Sequence, residues 1–174
     1  ADGGGRNGFA GMEAPDVPLL LLDDTPANQY VIRGGLLAQA GAPTHESVFS
    51  VAQNSYQLVA GQESLSVPLQ WREGDVQVMK EFTFTRGSYE ITVHYQVENA
   101  AAEPWTGRSY VEIQRLDPGR TGRRLIYTYT GAVISSPEQR YEKVDFDDML
   151  EAKLERDISN GWVAMLQHYF VTAL

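Results

Sequence analysis

A chain of 174 residues with 23 acidic and 14 basic side chains, net charge -9, lacks the basic footprint that a nucleic acid or an anionic membrane surface requires. It has no cysteine, which rules out a disulfide framework, a thiolate nucleophile and a cysteine metal cluster. Its longest apolar run, Val17 to Leu22, falls far short of the roughly 20 residues of a spanning helix.

Residues 1–16 are glycine-rich and polar without a hydrophobic period, which predicts a disordered or loosely ordered segment ahead of a single domain over 17–174. Residues 1–12 also lack the apolar core of an export signal, so any such signal would lie outside this chain. Pro18 to Leu22 and Tyr30 to Arg33 read as a short hairpin, the first strand ended by Asp23-Asp24-Thr25-Pro26 and the second by Gly34-Gly35. Residues 41–51 read as a loop, with turn chemistry from Pro43, Thr44, His45 and Glu46.

From Leu65 the strand signal strengthens. Ser66 to Trp71 alternates, Arg72-Glu73-Gly74-Asp75 is a turn, and Val76, Val78, Phe82 and Phe84 share one face of the returning strand. Lys80 is the exception on that face. Tyr89, Ile91, Val93, Tyr95 and Val97 then alternate with Glu90, Thr92, His94, Gln96 and Glu98, predicting an antiparallel strand with one face inward and one solvated. Trp105 to Leu116 is a further strand closed by Asp117-Pro118-Gly119, and Leu125 to Thr130 is another.

Phe146, Met149, Leu150 and Leu154 have helical spacing, while Leu154, Arg156 and Ile158 alternate, so 146–156 reads as one helical turn followed by a strand. Gly161 to Leu166 is a continuous apolar run of the kind a strand covered on both faces shows, and Tyr169, Phe170 and Val171 resume it after Gln167-His168. Two strand pieces with a bend are expected there, buried by large aromatic side chains. Turn signals about every 8 to 12 residues predict a mostly antiparallel all-β protein of about nine or ten strands and one or two short helical turns, folded as two packed sheets.

Chemistry is sparse. His45, His94 and His168 fall in no G-x-S-x-G or H-E-x-x-H context. Asp23-Asp24 belongs to a turn and Asp147-Asp148 to the first turn of a helix, where acids are favoured. Gly3-Gly4-Gly5 follows no strand, so it is no phosphate loop. No catalytic, cofactor-binding or metal-ligating residue is assigned. Arg108, Arg115, Arg120, Arg123 and Arg124 cluster against only Glu112 and Asp117, a pattern read as a solvated face. Arg140-Tyr141-Glu142-Lys143 reads as the charge pattern of a protected edge strand.

The order G-A-x-x-S-S-P-E-x-R-Y-E-K-x-x-F-D over 131–147, then N-G-W-V-A-M-L-Q-H-Y-F-V-T-A over 160–173, resembles the large periplasmic domain of the YidC membrane-protein insertase of Gram-negative bacteria. Fainter echoes run through Val59 to Pro68 and Lys80 to Tyr89. Asn160 stands where the family usually has glycine and His168 where glutamine is common. Residues 1–12 do not resemble the family's opening hairpin, and the chain ends before the family's last strands and membrane spans, so a partial chain is expected.

The resemblance implies a twisted antiparallel β-sandwich of the galactose-mutarotase-like supersandwich kind, anchored at the periplasmic face of the inner membrane by helices outside this chain. It implies a non-catalytic, cofactor-free accessory domain whose partners are nascent membrane proteins and the Sec translocon with its accessory subunits. Two alternatives stand beside it. A mutarotase-like carbohydrate enzyme or lectin could use His94 and Glu90, which share a strand face, and a free-standing interaction module would need neither.

Overall fold

A computed structural model of the chain describes residues 22–39, 41–119, 129–167 and 170–174. Strand accounts for about 49% of the described residues and helix for 4%, so the fold is an all-β antiparallel sandwich as the turn spacing predicts. The described elements are β1 (Tyr30–Ala38), β2 (Ser50–Val51), β3 (Ser64–Glu73), β4 (Val76–Thr85), β5 (Ile91–Asn99), β6 (Gly107–Arg115), β7 (Thr130–Ser135), β8 (Glu142–Val144), α1 (Phe146–Glu151), β9 (Trp162–Gln167) and β10 (Phe170–Ala173). The predicted N-terminal segment and the strand over 18–21 lie outside the described residues, as do Arg120, Arg123, Arg124, residues 125–128 and His168.

Three ladders form: β2-β3-β4-β5, β10-β9-β7-β8, and a two-stranded ribbon of β1 and β6. The β3–β4 hairpin closes tightly, Glu73 pairing Val76. Gly74 sits between them at φ 57, a conformation glycine adopts at little cost. Val78 on β4 is fully buried, and Val133, Ala164, Met165 and Val144 make the core of the C-terminal sheet.

The ribbon touches both larger sheets. Lys80 Nζ donates to Gly34 O at 3.0 Å, and Tyr30 OH donates to Thr172 Oγ1 at 2.6 Å. This explains the first departure from expectation: Gly34-Gly35 do not end the strand but lie inside β1. A Cβ at Gly35 would stand 2.8 Å from Pro43 O, and one at Gly34 3.2 Å from Tyr110 O, so the pair lets backbone pack on backbone. β1 finds its ladder in the distant β6, Tyr30 opposite Arg115, and only a single bridge joins Tyr30 to Asp23.

Other departures follow from what covers each strand. Tyr89 is fully exposed and precedes β5, and Ile91 and Val93 are also exposed, because β5 is the outer strand of its sheet and the ribbon reaches only its later half. On β9 both faces are covered at Ala164 and Met165 alone. Trp162 and Val163 at its start are exposed, as are Phe170 and Val171 on the outer strand β10, so the aromatic tail is less buried than its composition implies. Residues 152–158 are irregular, with no ladder partner among the described residues for the strand expected there; Arg156 instead holds Glu142 at 2.6 Å. The strand placed at 125–130 appears among the described residues as β7, starting at Thr130.

Candidate functional site

Lys80, the residue that breaks the apolar face of β4, sits between Leu69 of β3 and Tyr95 of β5 in the ladder. Opposed residues share a face, so its stem lies among apolar neighbours. The ammonium stands 5.0 Å from the Phe82 ring centre, 5.4 Å from that of Tyr95 and 6.0 Å from that of Phe49, within reach of the attraction between a cation and a ring face. Among the described residues its one hydrogen-bond acceptor is Gly34 O. Loss of water pushes the lysine below its ordinary pKa of 10.5, because burial penalises the charged form. The Tyr95 hydroxyl is pushed up, first by burial and then by the nearby Tyr110.

Lys80, Gly34, Phe49, Leu69 and Phe82 border a cleft of about 250 Å³ lined also by Ile32, Arg33, Thr44, His45 and Ser47. The loop over 43–47 is held in place by short bonds. Leu36 N donates to Pro43 O at 2.8 Å, Thr44 N to Ser47 Oγ at 3.0 Å, and His45 N to Tyr110 OH at 3.0 Å. The His45 ring meets the same hydroxyl through Nδ1 at 2.7 Å. In a chain of net charge -9, the cleft lining among the described residues contains Lys80, Arg33 and His45 and neither Asp nor Glu.

A second cleft, about 310 Å³, lies between β8 and α1 and mixes Glu142, Asp148 and Glu151 with Lys143 and Lys153. Asp147 and Asp148 are in the first turn of α1 as predicted, and Asp148 completes a capping box with Asp145. Asp23 is a turn residue, its carboxyl held below the usual range by the Thr25 amide. Lys143 lies over the Tyr129 and Tyr141 rings, and Glu142–Val144 is an outer strand, as the charge pattern implies. Arg115 stacks on the Tyr30 ring at 4.6 Å.

His94 lies on the exposed face of β5 opposite Glu81, Glu90 precedes that strand, and neither lines either of these two clefts. The pair proposed for sugar chemistry is thus not brought to either cleft. Among the described residues no group of three His, Asp or Glu is placed to hold a metal, and no helix is long and apolar enough to cross a membrane. Sequence reading marked Lys80 only as an irregularity, and Gly34 only as a strand end. The signal lay in their combination, an inward lysine together with an extended Gly-Gly pair.

A family model for the YidC periplasmic domain matches residues 9–174. The chain belongs to the YidC periplasmic domain family. It is 40% identical over 165 residues to the membrane protein insertase YidC of Nitrosococcus oceani, a match covering 93% of this chain and 30% of that protein. The corresponding protein of Pseudomonas fluorescens is 37% identical over 168 residues, and that of Thioalkalivibrio sulfidiphilus 36% over 171, each with the same coverage. The chain therefore spans about 30% of the length of these relatives. The similarity is broader than the C-terminal motifs imply, reaching back to residue 9 within the segment read as unlike the family. Family membership places the YidC domain on the periplasmic side of the membrane.

Proposed function

We propose that this chain is the non-catalytic periplasmic domain of an inner-membrane insertase, assisting insertion and folding of membrane proteins by shape and contact, with or without the Sec translocon. The observation that carries this reading is the family match over 9–174, joined to relatives named membrane protein insertase. Its partners on this reading are nascent membrane proteins and accessory subunits of the translocon. Antiparallel sheets with outer strands offer the means, since an extended segment can add to a sheet edge through main-chain hydrogen bonds.

Tyr141 is the test position. It precedes the outer strand β8 and is 53% exposed. A photo-crosslinking residue at Tyr141 in a full-length insertase is expected to yield an adduct with a nascent membrane protein during synthesis. Absence of any adduct would count against edge contact.

A further inference from the structure

Residues 146–158 have the sequence of a longer helix than the one they form. Asp145 opens α1 with a capping box shared with Asp148. Met149 to Arg156 then consists wholly of strong helix formers, Met, Leu, Glu, Ala, Lys, Leu, Glu and Arg. No glycine or proline stands between Phe146 and Asn160, and Asn160 at φ 58 has the left-handed backbone that closes a helix at its C-terminal end. The helix nevertheless stops at Glu151, where Ala152 turns extended at φ -151 and ψ 140. The last turn of α1 holds no basic residue, whereas Lys153 and Arg156 would fall near the end of a helix reaching Ile158, where the macrodipole favours them.

The apolar side of that longer helix has little to pack on. Short helices are marginal alone and take their stability from burying one face. Phe146, Leu150, Leu154 and Ile158 recur every four residues, the ridge by which one helix packs into another, yet Leu150 is 83% exposed, Leu154 44% and Ile158 37%. α1 has no buried residue, and residues 151–160 are all exposed. Among the described residues no backbone hydrogen bond involves 153–160, and the ion pairs Arg156–Glu142 and Lys153–Glu155 are of the surface kind that adds little.

The connection has room for the longer helix. β8 and β9 both run antiparallel to β7, so they are parallel to each other, and parallel strands are joined by a crossover that is usually helical. Val144 lies opposite Ala132 and Trp162 opposite Ser135. Three residues along and two strand spacings across set those ends about 14 Å apart. A helix over 146–158 is about 20 Å long, with Asp145 and residues 159–161 left as links.

We propose that 146–158 is a docking segment that folds into one continuous helix on a helical partner whose apolar ridge is bordered by lysine or arginine. The helical form of the partner follows from the four-residue ridge. Its charge follows from the neighbouring row, Asp147, Glu151 and Glu155, which runs beside the ridge at the same spacing. Binding sets ridge against ridge and acid against base, and it supplies the buried surface that the second half of the helix lacks. Such docking does not require the edge contact proposed at Tyr141.

Two acetylated leucine-rich helical peptides of about 18 residues, one bordered by lysine and one by glutamate, are titrated into the 174-residue chain. NMR Cα shifts of 152–158 are followed, with phosphatidylcholine vesicles as a third probe. The lysine peptide is expected to move those shifts to helical values and to bind at least about tenfold more tightly than the glutamate peptide. Leu150→Ala removes a side chain that the free chain leaves exposed, and binding is expected to weaken at least about fivefold. Glu155→Pro changes an exposed position with no backbone hydrogen bond among the described residues but breaks a helix interior, so the helical shifts should vanish and binding weaken at least about tenfold. Thermal melts followed by circular dichroism check that each variant keeps its fold, and either variant alone decides the matter.

Binding of the lysine peptide without helical shifts in 152–158, or affinity unchanged in Leu150→Ala or Glu155→Pro, would reduce the effect to unspecific attraction to an acidic chain and overturn the proposal. Helical shifts induced by vesicles alone would overturn it in favour of a lipid surface. Shifts that appear on raising the protein concentration alone would overturn it in favour of a second copy of the chain, and no shift with any probe would overturn it outright.

Discussion

Lys80 carries its charge into a position that β4 otherwise gives to valine and phenylalanine, and the consequence is a pH-dependent stability. Burial lowers its pKa in the folded state, while the unfolded chain keeps the ordinary 10.5. Between the lowered value and 10.5 the unfolded state binds more protons, so folding gains stability as pH rises through that window. The cost of the buried charge is complete at neutral pH and is relieved above it. Urea unfolding of the wild type and Lys80→Met is expected to show a difference that moves in favour of the wild type from neutral pH toward 10.5, and a pH-independent difference would contradict this. Asn160 and Gly161 pose a second residue-scale test. Asn160 has φ 58, a left-handed conformation that asparagine tolerates and glycine prefers, which accounts for the glycine usual there in the resemblance. At Gly161 a Cβ would collide with Ser135 O and Ile158 Cγ2. Asn160→Gly should change stability by less than about 1 kcal/mol and Gly161→Ala should lower it by roughly 1–3 kcal/mol, as measured by chemical denaturation.

At the scale of elements, the β3–β4–β5 sheet shows why alternation reveals a strand but not its burial. Its inward rows are Trp71–Val78–Val97, Leu69–Lys80–Tyr95, Val67–Phe82–Val93 and Leu65–Phe84–Ile91. Exposure climbs along them, from 0% at Val78 to 43% at Val93 and 53% at Ile91, because the ribbon covers only the first rows. Val78→Ala is therefore expected to cost about 2 kcal/mol, with the cavity adding to the lost transfer energy, and Val93→Ala under about 1 kcal/mol. Similar losses at both positions would mean the face is evenly covered. The hairpin, β5, β6 and the β9–β10 pair were all legible, since their signals are local: a Gly-containing turn, a period of two, an apolar run. Not legible were the continuation of β1 through Gly34-Gly35, the extent of β7, and the irregular path after α1, each decided by which distant strand offers a ladder. The candidate site shares that fate. Lys80 stood out in sequence, but the cleft exists only because a loop over 43–47 and a glycine of β1 come to meet it.

For the whole molecule, the β1–β6 ribbon is the joint between two four-stranded sheets, and its side-chain hydrogen bonds to them among the described residues differ in kind. Lys80 to Gly34 O fixes it to the sheet of β3, β4 and β5, and Tyr30 OH to Thr172 Oγ1 ties it to β10 across 142 positions of sequence. Tyr30 is buried and its ring is stacked by the Arg115 guanidinium, so Tyr30→Phe keeps the packing and removes the hydroxyl alone. The loss should be about 1 kcal/mol, the net worth of an ordinary hydrogen bond, since the half-buried Thr172 hydroxyl can turn to water. The location of the effect is the sharper test. If the bond couples ribbon and sheet, amide hydrogen exchange in Tyr30→Phe should quicken in β9 and β10 while β3 and β4, held through Lys80, keep their protection. Exchange that quickens evenly over all strands, or in β1 alone, would show that the C-terminal sheet is held by its apolar core and that the ribbon is not its joint.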